Sequence, residues 1–295
     1  MTSSSSGKVV PGKVVLITGA TDGLGKAAAI LLAEKGYRVY AAGRSAEKRA
    51  ELDRLAQTKK LPLASIEIDV CSDDSVCTAV ARVLSEAGAI DVLINNAGLG
   101  YMAVVEELKM EDMRQQFETN VFGVLRVTQA VLPHMRERKS GRILMISSIA
   151  GLVSPPTYGA YSSSKHALEG LSNSLRLELY PFGIEVVLIE PGYIVTNFQQ
   201  TATALAKPYV DAAKSSPYAK VYSGAWSGAN KGRGDSKTTP EDCARVMLEA
   251  IETPSPNPRY GVTPLARLVK FGKRFLSDKR MDAILRGKYG ITRET

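Results

Sequence analysis

Short apolar runs alternate with longer mixed stretches along most of this chain. The runs at 13–19 (KVVLITG), 37–43, 63–69, 91–95, 141–147 and 184–190 read as strands buried on both faces. The stretches at 24–35, 45–58, 73–87, 110–138, 160–180 and 240–252 read as helices, and a short seventh strand is expected near 259–262. Strand and helix in alternation predict an α/β fold, a doubly wound parallel seven-stranded sheet with helices on both faces. No internal repeat and no low-complexity tract interrupts it. One domain is expected over 13–262, with 196–239 inserted before the next helix as a mobile substrate lid. Residues 1–12 read as a flexible lead and 263–295 as a basic C-terminal extension.

In such sheets ligands bind beyond the carboxyl ends of the strands, so the residues following each run carry the interest. After the first run comes TGATDGLG (18–25), then a helical pattern. Gly19, Gly23 and Gly25 allow close backbone approach, and the helix N-terminus offers N–H groups and a positive dipole end to a phosphate. Arg44 and Ser45 follow the second run, where an acid would bond the ribose 2′-hydroxyl of NAD. An arginine there suits a 2′-phosphate instead, so NADP(H) is preferred over NAD(H). Asp22, inside the glycine turn, runs against that preference.

Tyr161 and Lys165 are four residues apart in YSSSK (161–165), and Ser148 stands in ISSIAG (146–151). On a helix such a pair shares one face. A cation held near a phenol lowers its pKa and readies it for proton transfer to a carbonyl or alcohol oxygen. Tyr158 is a nearby decoy on roughly the same face. Ser148 lacks a G-x-S-x-G setting, and the two histidines, His134 and His166, are poorly disposed to serve it. A Ser–His–acid machine is not expected.

Taken in order, TGATDGLG, Asp69-Val70, NNAG (95–98), Asn120, Ser148, YSSSK and PGYIVT (191–196) resemble the short-chain dehydrogenase/reductase family. The 17β-hydroxysteroid and retinol dehydrogenase branch is the most similar. The resemblance implies a Rossmann-like fold and reversible hydride transfer between a nicotinamide cofactor and a hydrophobic ketone, aldehyde or alcohol. It implies Tyr161 as acid/base and Ser148 as holder of the substrate oxygen. Lys165 would lower the tyrosine pKa and bind the nicotinamide ribose. Asn120 would distort its helix and hold, through its carbonyl, a water linked to Lys165. On the cofactor side it implies Asp69 and Val70 at the adenine, and Asn96, Ala97 and Gly98 along the ribose. Pro191, Gly192, Ile194 and Thr196 would lie at the nicotinamide, with Thr21 and Leu24 completing the glycine turn. It also implies a homodimer or homotetramer. A competing expectation is a non-catalytic dinucleotide-binding regulator.

Composition narrows the setting. Hydrophobic residues make up 44% and charged residues 23%, ordinary for a globular chain. Cys71, Cys77 and Cys243 fit neither a metal site nor a disulfide framework, so no metal is expected and a reducing cytoplasm fits best. Of the net charge of +8, residues 263–295 supply +6. The near-neutral body argues against a nucleic-acid-binding face. Tyr209, Tyr218, Tyr222 and Trp226 gather in the lid. They fit either a wall for ring-shaped substrates or fasteners packing the lid to the body. In the tail, Leu265, Leu268, Val269, Phe275 and Leu276 fall near helical spacing among lysines and arginines. Such a stretch can lie on an anionic membrane surface. The preferred expectation is that it packs on its own domain or a partner subunit while its lysines stay in water.

Overall fold

The computed structural model describes residues 12–234 and 237–293. Seven parallel strands form one sheet: β1 (Val14–Ile17), β2 (Arg38–Gly43), β3 (Leu63–Glu67), β4 (Val92–Asn95), β5 (Gly141–Ile146), β6 (Ile184–Glu190) and β7 (Arg259–Gly261). Their order across the sheet is β3-β2-β1-β4-β5-β6-β7. The chain therefore builds outward from β1 on one side, then returns to build on the other. The reversal lies between β1 and β4, where Val15 pairs with both Val39 and Val92. That is the switch point at which such sheets open a crevice for a ligand.

Every residue of β1 and β4 is buried, as strands covered on both faces require. On one face Val15, Ile17 and Val39 pack with α1 (Gly23–Glu34), α2 (Ala46–Lys59) and, from further along, α9 (Pro240–Glu252). On the other, Leu16, Tyr40 and Leu93 pack with α3 (Asp73–Ala87), and with α5 (Gly123–Glu137) and α6 (Gly159–Leu179). The helix starts are written in the sequence. Asp22 caps α1, Ser45 caps α2, Ser72 caps α3 and Thr239 opens α9 with a capping box and Pro240. Each such cap is worth about 1 kcal/mol.

The expected helix over 110–138 is divided. α4 (Met110–Phe117) passes into a π-helical turn at Glu118–Phe122 before α5 begins. The lid contains α7 (Asn197–Ala212) and α8 (Ala219–Gly234). Pro208 within α7 and the glycines of α8 had hidden that regularity. The expected lead over 1–12 lies outside the described residues except for Gly12.

The tail forms α10 (Pro264–Phe275) and α11 (Asp278–Tyr289). Tyr289 is buried against α8, where a methyl at Gly228 would come within 2.5 Å of its ring. α10 lies on the body with Ala266 buried and Leu265, Val269 and Leu276 half-buried, while its lysines and arginines stay exposed as expected. Lys270 Nζ donates to the Arg259 carbonyl at 3.4 Å, Arg267 Nε to the Gly261 carbonyl at 3.1 Å, and Lys273 Nζ to the Leu152 carbonyl. Leu268, Phe271 and Phe275 remain about two-thirds exposed.

Candidate active site

The glycine turn is tight enough to require its glycines. A methyl on Gly25 would sit 2.4 Å from the Gly19 carbonyl oxygen, and one on Gly19 2.9 Å from the Ala97 Cα. Gly19 and Gly23 also have positive φ, +61° and +51°, which favour glycine. The turn is bound to the end of β4: Asn96 Nδ2 donates to the Thr18 and Gly19 carbonyls, while Thr18 Oγ1 accepts from the Asn96 and Ala97 N–H groups. Thr21 fills the space above Gly43, where a Cβ would lie 2.6 Å from its methyl. Leu24 packs into the core. Gly23 faces Thr196 at 3.4 Å from a Cβ position, which brings the ends of β1 and β6 together.

Asp22 has a further role that its position in the sequence did not show. Its carboxylate takes the Gly23 N–H at 2.7 Å, Lys48 Nζ at 2.5 Å and Asn197 Nδ2 at 2.9 Å. Burial works against its charge, but Lys48, Asn197 and the Gly23 N–H outweigh this and hold the acid below its usual range. The carboxylate so occupied clasps the glycine turn to α2 and to the lid. Arg44 is exposed beside this clasp, and Ser45 serves as the α2 cap.

Across the crevice, Asp69 Oδ1 accepts the Cys71 N–H at 3.0 Å. Val70 is buried under α5, and its carbonyl receives Arg126 Nη1 at 2.6 Å. Ile194 is buried, and its carbonyl accepts from Gln199 Nε2. Gln199 also takes the Thr196 N–H at 2.6 Å, so Thr196 opens α7 in a capping box. Gly192 lies hard against Thr263, where a Cβ would come within 2.2 Å of the threonine oxygen.

Asn120, Ser148, Tyr161 and Lys165 converge at the ends of β4 and β5. Asn120 is fully buried in the π-helical turn. Its Oδ1 accepts the Leu99 N–H at 2.9 Å, and its Nδ2 donates to the Leu99 carbonyl at 2.9 Å and to Ser164 Oγ at 3.2 Å. A methyl at Gly98 would lie 3.3 Å from Asn120 Oδ1 and 3.9 Å from Lys165 Nζ. Lys165 is buried and donates to the Ile146 carbonyl at 2.7 Å.

Lys165 Nζ lies 5.8 Å from the centre of the Tyr161 ring. Burial pushes the Tyr161 phenol up to about 12, against the hydrogen-bonding side chain of Ser148, which favours the phenolate. Burial also pushes Lys165 down to about 8, against the field of Glu169. Both groups sit where charge is disfavoured, and desolvation sets the direction of both shifts.

Sequence reasoning missed several neighbours. Phe198 packs on Tyr161 with ring centres 5.7 Å apart. Gln116, wholly buried, takes the Tyr101 N–H at 2.8 Å and donates to the Leu99 carbonyl at 2.8 Å. Behind Lys165, Arg259 is paired with both Glu169 and Glu190. The only sequence cue was Glu169, one helical turn beyond Lys165. The lid aromatics mostly fasten. Tyr222 Oη accepts the Val104 N–H at 3.1 Å and donates to Glu107 at 2.8 Å, and Tyr209 Oη accepts the Lys109 N–H at 3.1 Å. Tyr218 bonds Glu106, while Trp226 faces Met102, Tyr158 and Val210 in a closed apolar pocket.

A parallel sheet with this switch point, glycine turn and Ser–Tyr–Lys convergence defines a dinucleotide-dependent oxidoreductase class. Residues 13–206 match the family model of the short chain dehydrogenases. The chain is 35% identical to 17-beta-hydroxysteroid dehydrogenase type 1 of Homo sapiens, over 86% of this chain and 80% of that protein. It is also 35% identical to retinol dehydrogenase 8 of Bos taurus, over 87% and 84%. The structure of a gluconate 5-dehydrogenase from Burkholderia cenocepacia J2315, in complex with NADP and tartrate, superposes with a TM-score of 0.72 at 25% identity. It covers 88% of this chain and 96% of that one. The chain belongs to the short-chain dehydrogenase/reductase family, whose members bind a nicotinamide dinucleotide, and it is an oxidoreductase of the hydroxysteroid dehydrogenase-like kind.

Proposed function

We propose that this enzyme uses NADP(H) to interconvert a hydrophobic ketone or aldehyde and its alcohol, with steroid-like or retinoid-like molecules as the substrate class. The observation that carries the reading is the convergence of Ser148, Tyr161, Lys165 and Asn120 beside the apolar cluster under the lid. The glycine turn fits a dinucleotide, because its close backbone approach leaves a cradle that any side chain would fill. Gly19, Gly23 and Gly25 hold the diphosphate, and Arg44 the 2′-phosphate. Asp69 and Val70 hold the adenine, and Asn96 to Gly98 the ribose. Pro191, Gly192, Ile194 and Thr196 flank the nicotinamide. When bound, the cofactor supplies or accepts the hydride.

The chain's own part is positioning and proton transfer. In reduction, the Ser148 hydroxyl donates to the substrate oxygen and fixes it beside Tyr161. The Tyr161 phenol gives its proton to that oxygen as the carbonyl carbon is reduced, leaving a phenolate. Lys165, when charged, stabilises the phenolate, which then regains a proton from solvent along Lys165 and Asn120. Oxidation runs the same steps in reverse. The apolar cluster packed around Tyr161 under the lid, Phe198 and Tyr158 included, favours apolar substrates and requires the lid to yield.

The test is nicotinamide absorbance with NADPH and with NADH against cyclic, steroidal and aliphatic ketones, for the wild type and Tyr161→Phe. Proton transfer of this kind contributes roughly 10²–10⁴-fold, so Tyr161→Phe is expected to lose at least that much turnover while still binding NADPH. Unchanged turnover would refute the chemistry. A preference for NADH would overturn the role of Arg44 alone.

A further inference from the structure

The orientation of α10 is unusual for an amphipathic helix on a protein surface. Such helices ordinarily turn their apolar stripe to the core. Here Ala266 is buried and Leu265 and Val269 are half-buried, so only part of the stripe is covered, while the exposed Arg267, Lys270 and Lys273 bend back to backbone carbonyls. Leu268, Phe271 and Phe275 fall on the other side at i, i+3 and i+7. They are 65%, 66% and 65% exposed, and the two phenylalanine rings meet at a tilt of 51° with centres 4.9 Å apart. Contiguous exposed aromatic surface of this kind marks a contact site.

Charge distinguishes among the surfaces that could cover it. Residues 263–295 carry nine Lys/Arg against three acids, and Lys279, Arg280 and Arg286 stand exposed on α11. A second copy meeting this face would bring like charge to like charge. An anionic lipid surface offers both apolar depth for the phenylalanines and charge for the basic residues. Among the described residues no helix is long and apolar enough to cross a membrane, so the helix would lie in the interface.

We propose that α10 and α11 dock this enzyme on anionic membranes, with Leu268, Phe271 and Phe275 inserted among the lipids and the basic residues on the headgroups. The docking is reversible and salt-sensitive, since short helices insert shallowly and surface charge is screened within about 10 Å at 0.1 M salt.

The test is flotation of the full-length protein with phosphatidylcholine vesicles, with and without phosphatidylserine, at low and high salt. Two variants accompany it: Leu268→Ser/Phe271→Ser/Phe275→Ser, and Lys279→Glu/Arg280→Glu. Circular dichroism and turnover of a water-soluble ketone check that each is folded. The wild type is expected to float with phosphatidylserine vesicles and to partition at least tenfold less onto phosphatidylcholine alone. Each variant is expected to lose at least tenfold. Failure of the wild type to float on either vesicle overturns the proposal. So does flotation of the triple serine variant equal to the wild type. If sedimentation shows instead that the wild type is a dimer, that the serine variant is a monomer and that neither floats, the face holds a second copy and the lipid assignment is wrong.

Discussion

Lys165 is held where its charge is unwelcome. Its pKa falls from the usual 10.5 to about 8, chiefly through burial. Between those values the unfolded chain holds a proton that the folded one has released, so the stability contribution of this group rises with pH across the window. Below pH 8 the full cost of burying the charge is present, roughly 3 kcal/mol from the shift. Lys165→Met is therefore expected to lose turnover yet gain about that much stability at pH 7. The gain should shrink towards pH 10, as read by urea unfolding at both pH values. An equal gain at both would show that charge burial is not its source. The Tyr161–Lys165 pair was legible because a helix enforces its spacing. The Arg259 cluster was not, because its partners Glu169 and Glu190 lie 90 and 69 residues away and only the sheet brings them together.

At the scale of the element, glycines separate local need from local slack. Gly25 at the start of α1 has no room for a methyl, whereas Gly170, exposed in α6, meets nothing within 4 Å. Gly170→Ala is expected to stabilise by about 0.5–1 kcal/mol, the helical preference for alanine over glycine. Gly25→Ala is expected to destabilise by roughly 1–3 kcal/mol through overpacking and to weaken NADPH binding. Thermal unfolding and cofactor titration read both. A neutral Gly25→Ala would mean that the turn is looser than its geometry implies. Strands were readable because short unbroken apolar runs are a local signal, and capping residues mark the helix starts just as locally. The π-helical turn was visible in the sequence only through Asn120 and the family resemblance, since apolar residues on either side read as one continuous helix and a single turn is too short to show a period of its own. α7 and α8 escaped detection because Pro208 and the α8 glycines resemble loop punctuation.

The whole molecule is a rigid sheet carrying a fastened lid. Tyr222 holds the lid by accepting the Val104 N–H, and Tyr222→Phe leaves that buried donor unsatisfied at about 1–3 kcal/mol. Faster hydrogen exchange is expected over 196–229 with the sheet unchanged. A rise in KM exceeding any fall in kcat would mark the lid as a substrate gate, while uniform exchange throughout would mean that the lid and sheet open together. The strand order has a separate consequence during synthesis. β1 emerges first from the ribosome yet ends in the middle of the sheet, between β2 and β4. Its second neighbour is made only some seventy-five residues later. Until then the nascent chain carries a bare apolar ribbon, and the stretch of translation between β3 and β4 is where a chaperone would find most to hold.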